Sequence, residues 1–230
     1  MQADKLRRWI AIASSLPAVT ITLMVDTAHS PPRAYVLKGE RVGFKTLLKS
    51  DVALVTPWFS DLEFVTCLTA RGLPMSVANE EEWFEKKTKN TDQSVQFAIF
   101  ELENDCHIGN CGLFNFTPHN TACFGIGIGD REAWGKGYGS EATRLMAEFA
   151  FFFLNLFNIR LYVYGFNERA VRSYLSAGYR EVGRIRGAVC IAGRRYDEIV
   201  MDITADDVDL SRMRTMVPML AETNLTERPK

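Results

Sequence analysis

The sequence predicts a mixed α/β domain: a central, mostly antiparallel sheet flanked by helices. Three observations predict it. Strand-like runs at Val95 to Glu101, His107 to Phe116 and Thr121 to Ile128 are separated only by short turns at Asn104-Asp105 and Pro118-His119-Asn120, as in strands that pair back on one another. The third run enters a glycine-dense turn and then a helix, whose apolar residues Ala142, Leu145, Met146, Phe149, Phe152, Phe153 and Leu156 recur at i, i+3, i+4 and i+7. A strand at Arg160 to Tyr164, a helix, and a hairpin-like pair at Tyr179 to Ile185 and Arg194 to Ile203 follow.

The elements can be justified in order. Residues 1–34 read as an N-terminal extension. Lys5, Arg7 and Arg8 precede an uncharged run from Trp9 to Val25, so a targeting segment is the second reading and a membrane anchor the third. Ser14, Ser15, Pro17, Thr20 and Thr22 interrupt the run, and a span needs about 20 apolar residues. The domain is expected over 35–204, opening with a strand pair or bent strand at Leu37 to Lys45. Asp51 is expected to N-cap a helix through Leu54, Val55 and Trp58. Glu80 to Lys87 is acidic at its start and basic at its end, as the helix dipole favours. Asn167 is placed to cap a helix carrying Ala170, Val171, Tyr174 and Leu175, and Gly178 to end it. A tail over 205–230 is expected to carry one helix at Val208 to Met216.

The turn, W-G-K-G-Y-G-S-E at Trp134 to Glu141, is the stretch that suggests chemistry. Gly135, Gly137 and Gly139 lack a Cβ, so the backbone there can take positive φ or admit another group closely. The first turn of the following helix has unpaired N–H groups and the positive end of the dipole. Together with Lys136 this makes an anion site, most naturally for phosphate. Two phosphate motifs fail on spacing. Counting from Gly135, Ser140 stands where a dinucleotide fold needs its third glycine, and from Gly129 to Gly135-Lys136 is one residue too long for a P-loop.

The turn resembles the acyl-CoA-binding turn of the GNAT N-acyltransferase superfamily, Q/R-x-x-G-x-G/A, with Trp134 at the Q/R position and Gly137 and Gly139 at the glycines. The form W-G-K-G-Y-G-S-E-A, with the L-x-G-E-R-V opening at Leu37 to Val42, is similar to the branch of ribosomal-protein N-terminal acetyltransferases and their polyamine- and antibiotic-acetylating relatives. The resemblance runs from about Val36 to Ile203. It implies a GNAT fold whose sheet is splayed between the fourth and fifth strands, and acetyl-CoA as co-substrate. It implies that the backbone of Trp134, Gly135, Lys136, Gly137, Tyr138, Gly139 and Ser140 cradles the pyrophosphate, and that Ile126, Gly127 and Ile128 meet the pantetheine arm. Gly125, Gly127 and Gly129 are expected to permit its close approach. The later stretch N-E-R-A-V-R-S-Y-L-S-A-G-Y is similar to the family's N-x-x-A-x-x-x-Y-x-x-x-G-F/Y. Asn167 would then contact pantetheine, and Tyr174 would protonate the departing thiolate as a phenol can near neutral pH. Relatives carry a glutamate on the fourth strand as base, where this sequence has Cys123. Glu101, His119, Asp130 and a water relay are the alternatives.

Composition narrows the rest. At 230 residues the chain has room for one domain with extensions, and it is 47% hydrophobic and 24% charged, ordinary for a globular protein. A net charge of -1 gives no bulk attraction to nucleic acid or acidic membrane. Cys67, Cys106, Cys111, Cys123 and Cys190 are odd in number and scattered, which suggests a reduced, cytoplasmic protein. Cys106, His107 and Cys111 lack a second ligand pair at zinc spacing, so no metal is expected. The expected partners are acetyl-CoA and an amine acceptor, in a monomer or homodimer.

Overall fold

The alternating runs become one eight-stranded sheet. The computed structural model describes residues 33–70, 73–87 and 94–217. The N-terminal readings and the end of the tail therefore fall outside the described residues. The strands are β1 (Leu37–Lys38), β2 (Val42–Thr46), β3 (Ser94–Glu101), β4 (Cys106–Thr117), β5 (Thr121–Ile128), β6 (Asn158–Tyr164), β7 (Arg180–Ile191) and β8 (Arg194–Thr204). The helices are α1 (Asp51–Val55), α2 (Leu62–Thr69), α3 (Val77–Lys87), α4 (Tyr138–Phe153), α5 (Glu168–Ser176) and α6 (Ser211–Met216). Sheet order is β1-β2-β3-β4-β5-β6-β8-β7. Neighbours are antiparallel except β5 and β6, which run parallel because the α4 crossover joins them.

Pairing places alternate residues of β5 on opposite faces. Phe124, Ile126 and Ile128 share the face of α4, where Phe44, Ile99, Leu113, Leu145 and Met146 are almost wholly buried. Each such side chain contributes about 1.5–3 kcal/mol. Gly125, Gly127 and Gly129 share the other face, which Trp58 and Phe64 cover. Met213 of α6 is fully buried, and Arg212 beside it donates to the buried carboxylate of Glu148 on α4 at 3.1 Å.

Several local expectations need correcting. Asp51 is not an N-cap. It is the first residue of α1, buried, and accepts two hydrogen bonds from Arg33 at 2.6 and 2.9 Å and one from the Leu48 N–H at 2.9 Å. The helix tightens into a 3₁₀ turn at Thr56–Ser60, with Pro57 near its start. A separate helix, α2, follows because the Asp61 side chain accepts from the N–H groups of Glu63 and Phe64. β7 continues to Ile191, and Phe153, expected on the buried face of α4, is 40% exposed in its last turn.

Candidate active site

The site is built on a seam in the sheet. β5 pairs with β4 out to Ile128, but with β6 only through Thr121, Ala122 and Cys123. Beyond that point the two parallel strands part, and β6 continues to Tyr164 with β8 as its partner. The backbone of Phe124 to Ile128 therefore has no strand neighbour on its β6 side. Buried backbone polar groups need partners, so this edge is suited to bind an extended polar ligand. At its far end the Ile128 carbonyl accepts a hydrogen bond from Trp134 Nε1 at 2.7 Å.

The glycine turn lies at that end of the seam. Gly135 and Gly137 have φ of +75° and +83°, conformations that favour glycine. Gly137 is the N-cap of α4 and brings no capping side chain. The first intrahelical bond runs from the Glu141 N–H to the Gly137 carbonyl, which leaves the N–H groups of Tyr138, Gly139 and Ser140 ahead of it unclaimed. Gly139 is already helical and packs beside Ser173 of α5, whose Oγ would lie in ordinary contact, 3.4 Å from a Cβ there. Ser140 and Ser173 hydroxyls are 2.9 Å apart, joining the two helices.

A clip holds the turn in place. Glu141 Oε1 accepts from the backbone N–H groups of Glu40, Arg41 and Val42 at 2.8, 2.8 and 3.2 Å. Arg41 returns to Glu141 Oε2 through Nε at 3.1 Å and to the Lys136 carbonyl through Nη1 at 2.8 Å. Burial works to raise the Glu141 pKa, but the three N–H groups and Arg41 outweigh it and hold the carboxyl below its usual range. The Tyr138 hydroxyl donates to Glu101, so Tyr138 has only its backbone to offer a ligand. The Lys136 side chain is exposed on the turn.

The second helix supplies the buried tyrosine. Asn167 accepts from the Ala170 N–H at 3.2 Å, capping α5. The helix closes with N–H groups of Ala177 and Tyr179 bonding the Tyr174 carbonyl, and Gly178 in the left-handed region at φ +99°. Tyr174 is buried, and burial pushes its phenol up to about 12. Its ring lies 6.1 Å from that of Tyr179, which in turn stacks on Phe124, the first unpaired residue of the seam.

At the foot of the seam, Cys123 accepts a hydrogen bond from Arg160 Nε at 3.4 Å. The alternative bases lie elsewhere. Glu101 accepts from Tyr138 and Asn104, which hold its carboxyl below the usual range, and β4 stands between it and β5. Asp130 caps the turn at Arg131–Ala133 by accepting from the Glu132 N–H. His119 is exposed on the β4–β5 turn, behind the paired end of the seam. None of the three is positioned at the parting strands.

The glycines of this edge have a use within the protein itself. A Cβ at Gly127 would meet Phe64 at 3.1 Å, at Gly129 Trp58 at 2.0 Å and at Gly125 Phe114 at 3.2 Å. These glycines make room for the protein's own aromatic rings on the face away from α4. Sequence reasoning also missed the clip, although both halves of it, Arg41 and Glu141, stood inside the quoted motifs. It missed the stacking of Trp134 as well: Arg131 and Arg169 guanidinium carbons lie 4.4 and 3.5 Å from the indole centroid. A signal for this was the tryptophan itself, an aromatic where the pattern has a polar side chain.

Comparison with known proteins points the same way. The model of the acetyltransferase (GNAT) domain matches residues 41–180. The uncharacterized N-acetyltransferase p20 of Bacillus licheniformis is 32% identical over 106 residues, 46% of this chain and 59% of that protein. This chain thus spans less than two thirds of that relative. The probable N-acetyltransferase YjcK of Bacillus subtilis is 31% identical over 141 residues, 60% of this chain and 75% of that one. Among solved structures, spermidine N-acetyltransferase from Vibrio cholerae in complex with CoA and spermine superposes with a TM-score of 0.66 at 23% identity, over 74% of this chain and 98% of that chain, a likeness of fold.

Proposed function

The chain belongs to the acetyltransferase (GNAT) domain family, and on that premise we propose that it transfers the acetyl group of acetyl-CoA to a primary amine by direct attack. The observation that carries the reading is the seam: an unpaired β5 edge leading from buried Tyr174 to an uncapped helix N-terminus. In this reading the N–H groups of the α4 turn take the pyrophosphate, the Phe124 to Ile128 edge takes the pantetheine amides, and Asn167 keeps its amide N–H groups for the same arm.

The chemistry then runs in two steps. The neutral amine nitrogen adds to the thioester carbon, forming the C–N bond and an oxyanion that a β5 N–H can stabilise. The carbon–sulfur bond breaks, Tyr174 gives its proton to the sulfur, and the nitrogen's surplus proton leaves to water, from which the phenol is restored. Because burial pushes the Tyr174 phenol up to about 12, it remains protonated throughout the working range. With Cys123 in place of an acid, the amine must arrive neutral or lose its proton to water. An α-amine is about tenfold protonated at neutral pH, and a lysine-like or polyamine nitrogen about a thousandfold or more. That difference favours a peptide N-terminus, as does the W-G-K-G-Y-G-S-E turn, which we assign to the ribosomal-protein N-terminal acetyltransferase branch. All five cysteines are free, which suits the reducing cytoplasm we propose as its location; among the described residues no helix is long and apolar enough to cross a membrane.

The test is thiol release from acetyl-CoA across N-terminal peptides, polyamines and aminoglycosides, beside CoA-induced thermal shift. Release with α-amine peptides ahead of polyamines is the expected result. A second reading, a non-catalytic acyl-CoA-binding or partner-binding module on the same fold, draws on the missing acid at Cys123 of β5. It predicts a thermal shift with no release from any acceptor.

A further inference from the structure

We propose that Arg169 is a phosphate-binding residue of the CoA site, stored on the Trp134 ring until the ligand arrives; this rests on the acetyl-CoA reading above. Trp134 opens the glycine turn at the position where the family pattern carries Gln or Arg, and its one side-chain donor, the indole N–H, is spent on the Ile128 carbonyl. The structure returns a guanidinium to that spot from the next helix. Arg169 Cζ lies 3.5 Å from the indole centroid, within stacking contact.

The neighbouring arginines are committed elsewhere. Arg131, also on the indole, donates to both oxygens of Asp61 at 2.5 and 2.8 Å and to Glu63 at 2.7 Å. Arg41 is held by Glu141 and the Lys136 carbonyl, Arg172 by Glu168, and Arg144 by the Ser176 carbonyl. Arg169 is exposed and makes no hydrogen bond or ion pair among the described residues. Its guanidinium therefore keeps its full fork of N–H donors, the geometry that matches phosphate oxygens. It also stands in the first turn of α5, where the helix dipole disfavours a cation. An anion between the α4 turn and α5 removes that conflict. Stacking on Trp134 holds the side chain beside the turn without using its donors, so little conformational freedom is lost when a phosphate replaces solvent.

The experiment is calorimetric titration of full-length wild type and Arg169→Gln with CoA and with 3′-dephospho-CoA. The expected result is CoA affinity at least about tenfold weaker in the variant, with the unliganded unfolding temperature unchanged. If the variant loses affinity for CoA alone, Arg169 binds the 3′-phosphate; if it loses affinity for both, it binds the pyrophosphate. Either outcome supports the proposal. Wild type and variant binding both ligands within about twofold of each other would overturn it. Wild type failing to bind CoA at all would overturn the acetyl-CoA reading itself, and this inference with it.

Discussion

The two helices that start beside the seam begin in opposite ways. α4 starts on Gly137, with positive φ and no capping side chain, and its first N–H groups are open. α5 starts on Asn167, whose side chain occupies the Ala170 N–H. A helix terminus closed by its own residue is satisfied and stable. One closed by glycine is held in shape from outside, here by Arg41 and Glu141, and leaves its donors for a ligand. In the proposed reading the difference divides the labour: α4 binds and α5 reacts.

Substitutions can break or sharpen that division. The largest effect belongs to Tyr174→Phe on the reacting helix: turnover should fall about a hundredfold, while the CoA dissociation constant from calorimetry stays within about twofold. Unchanged turnover would remove Tyr174 from the chemistry. On the binding helix, Gly137→Val should weaken CoA about tenfold or more, since a β-branched residue is strained at φ +83° and its Cβ would press on Arg41 at 3.1 Å. Affinity equal to wild type would mean that the turn does not hold the ligand.

Smaller effects test the supports. Glu141→Gln should lower the unfolding temperature near neutral pH, and the gap from wild type should narrow on acidification. The sign follows from the depressed Glu141 pKa: its contribution is fully present above the ordinary carboxylate value of 4.5 and is lost as pH falls through the lower folded value. A gap that is constant from about pH 6 to about pH 3 would contradict the clip as drawn. Smallest of all, Asn167→Ala should cost about 1 kcal/mol of stability through the lost cap, measurable by urea denaturation. A CoA affinity that falls more than stability does would mark Asn167 as a ligand contact too.

The same contrast explains what could be read from the sequence. The α4 turn was legible because Gly135 and Gly137 report a left-handed backbone requirement that other side chains meet poorly. The cap and stop of α5, Asn167 and Gly178, were legible for the same local reason. The strand runs of β3 to β5 were legible from alternation. What stayed hidden depended on residues far apart in sequence. The Arg33–Asp51 pair made an expected cap into a buried ion partner, and Arg41 reached across about a hundred positions to Glu141. The packing use of Gly127 and Gly129 stayed hidden because the rings that fill their space, Phe64 and Trp58, lie in helices whose packing no local pattern encodes.

The most direct test of the central claim is amide hydrogen exchange of the full-length protein with and without saturating CoA. The account predicts slowed exchange at two separate places, the Tyr138 to Ser140 amides of the α4 start and the unpaired edge from Phe124 to Ile128, with little change at the already capped start of α5. CoA binding that protects neither segment would contradict it.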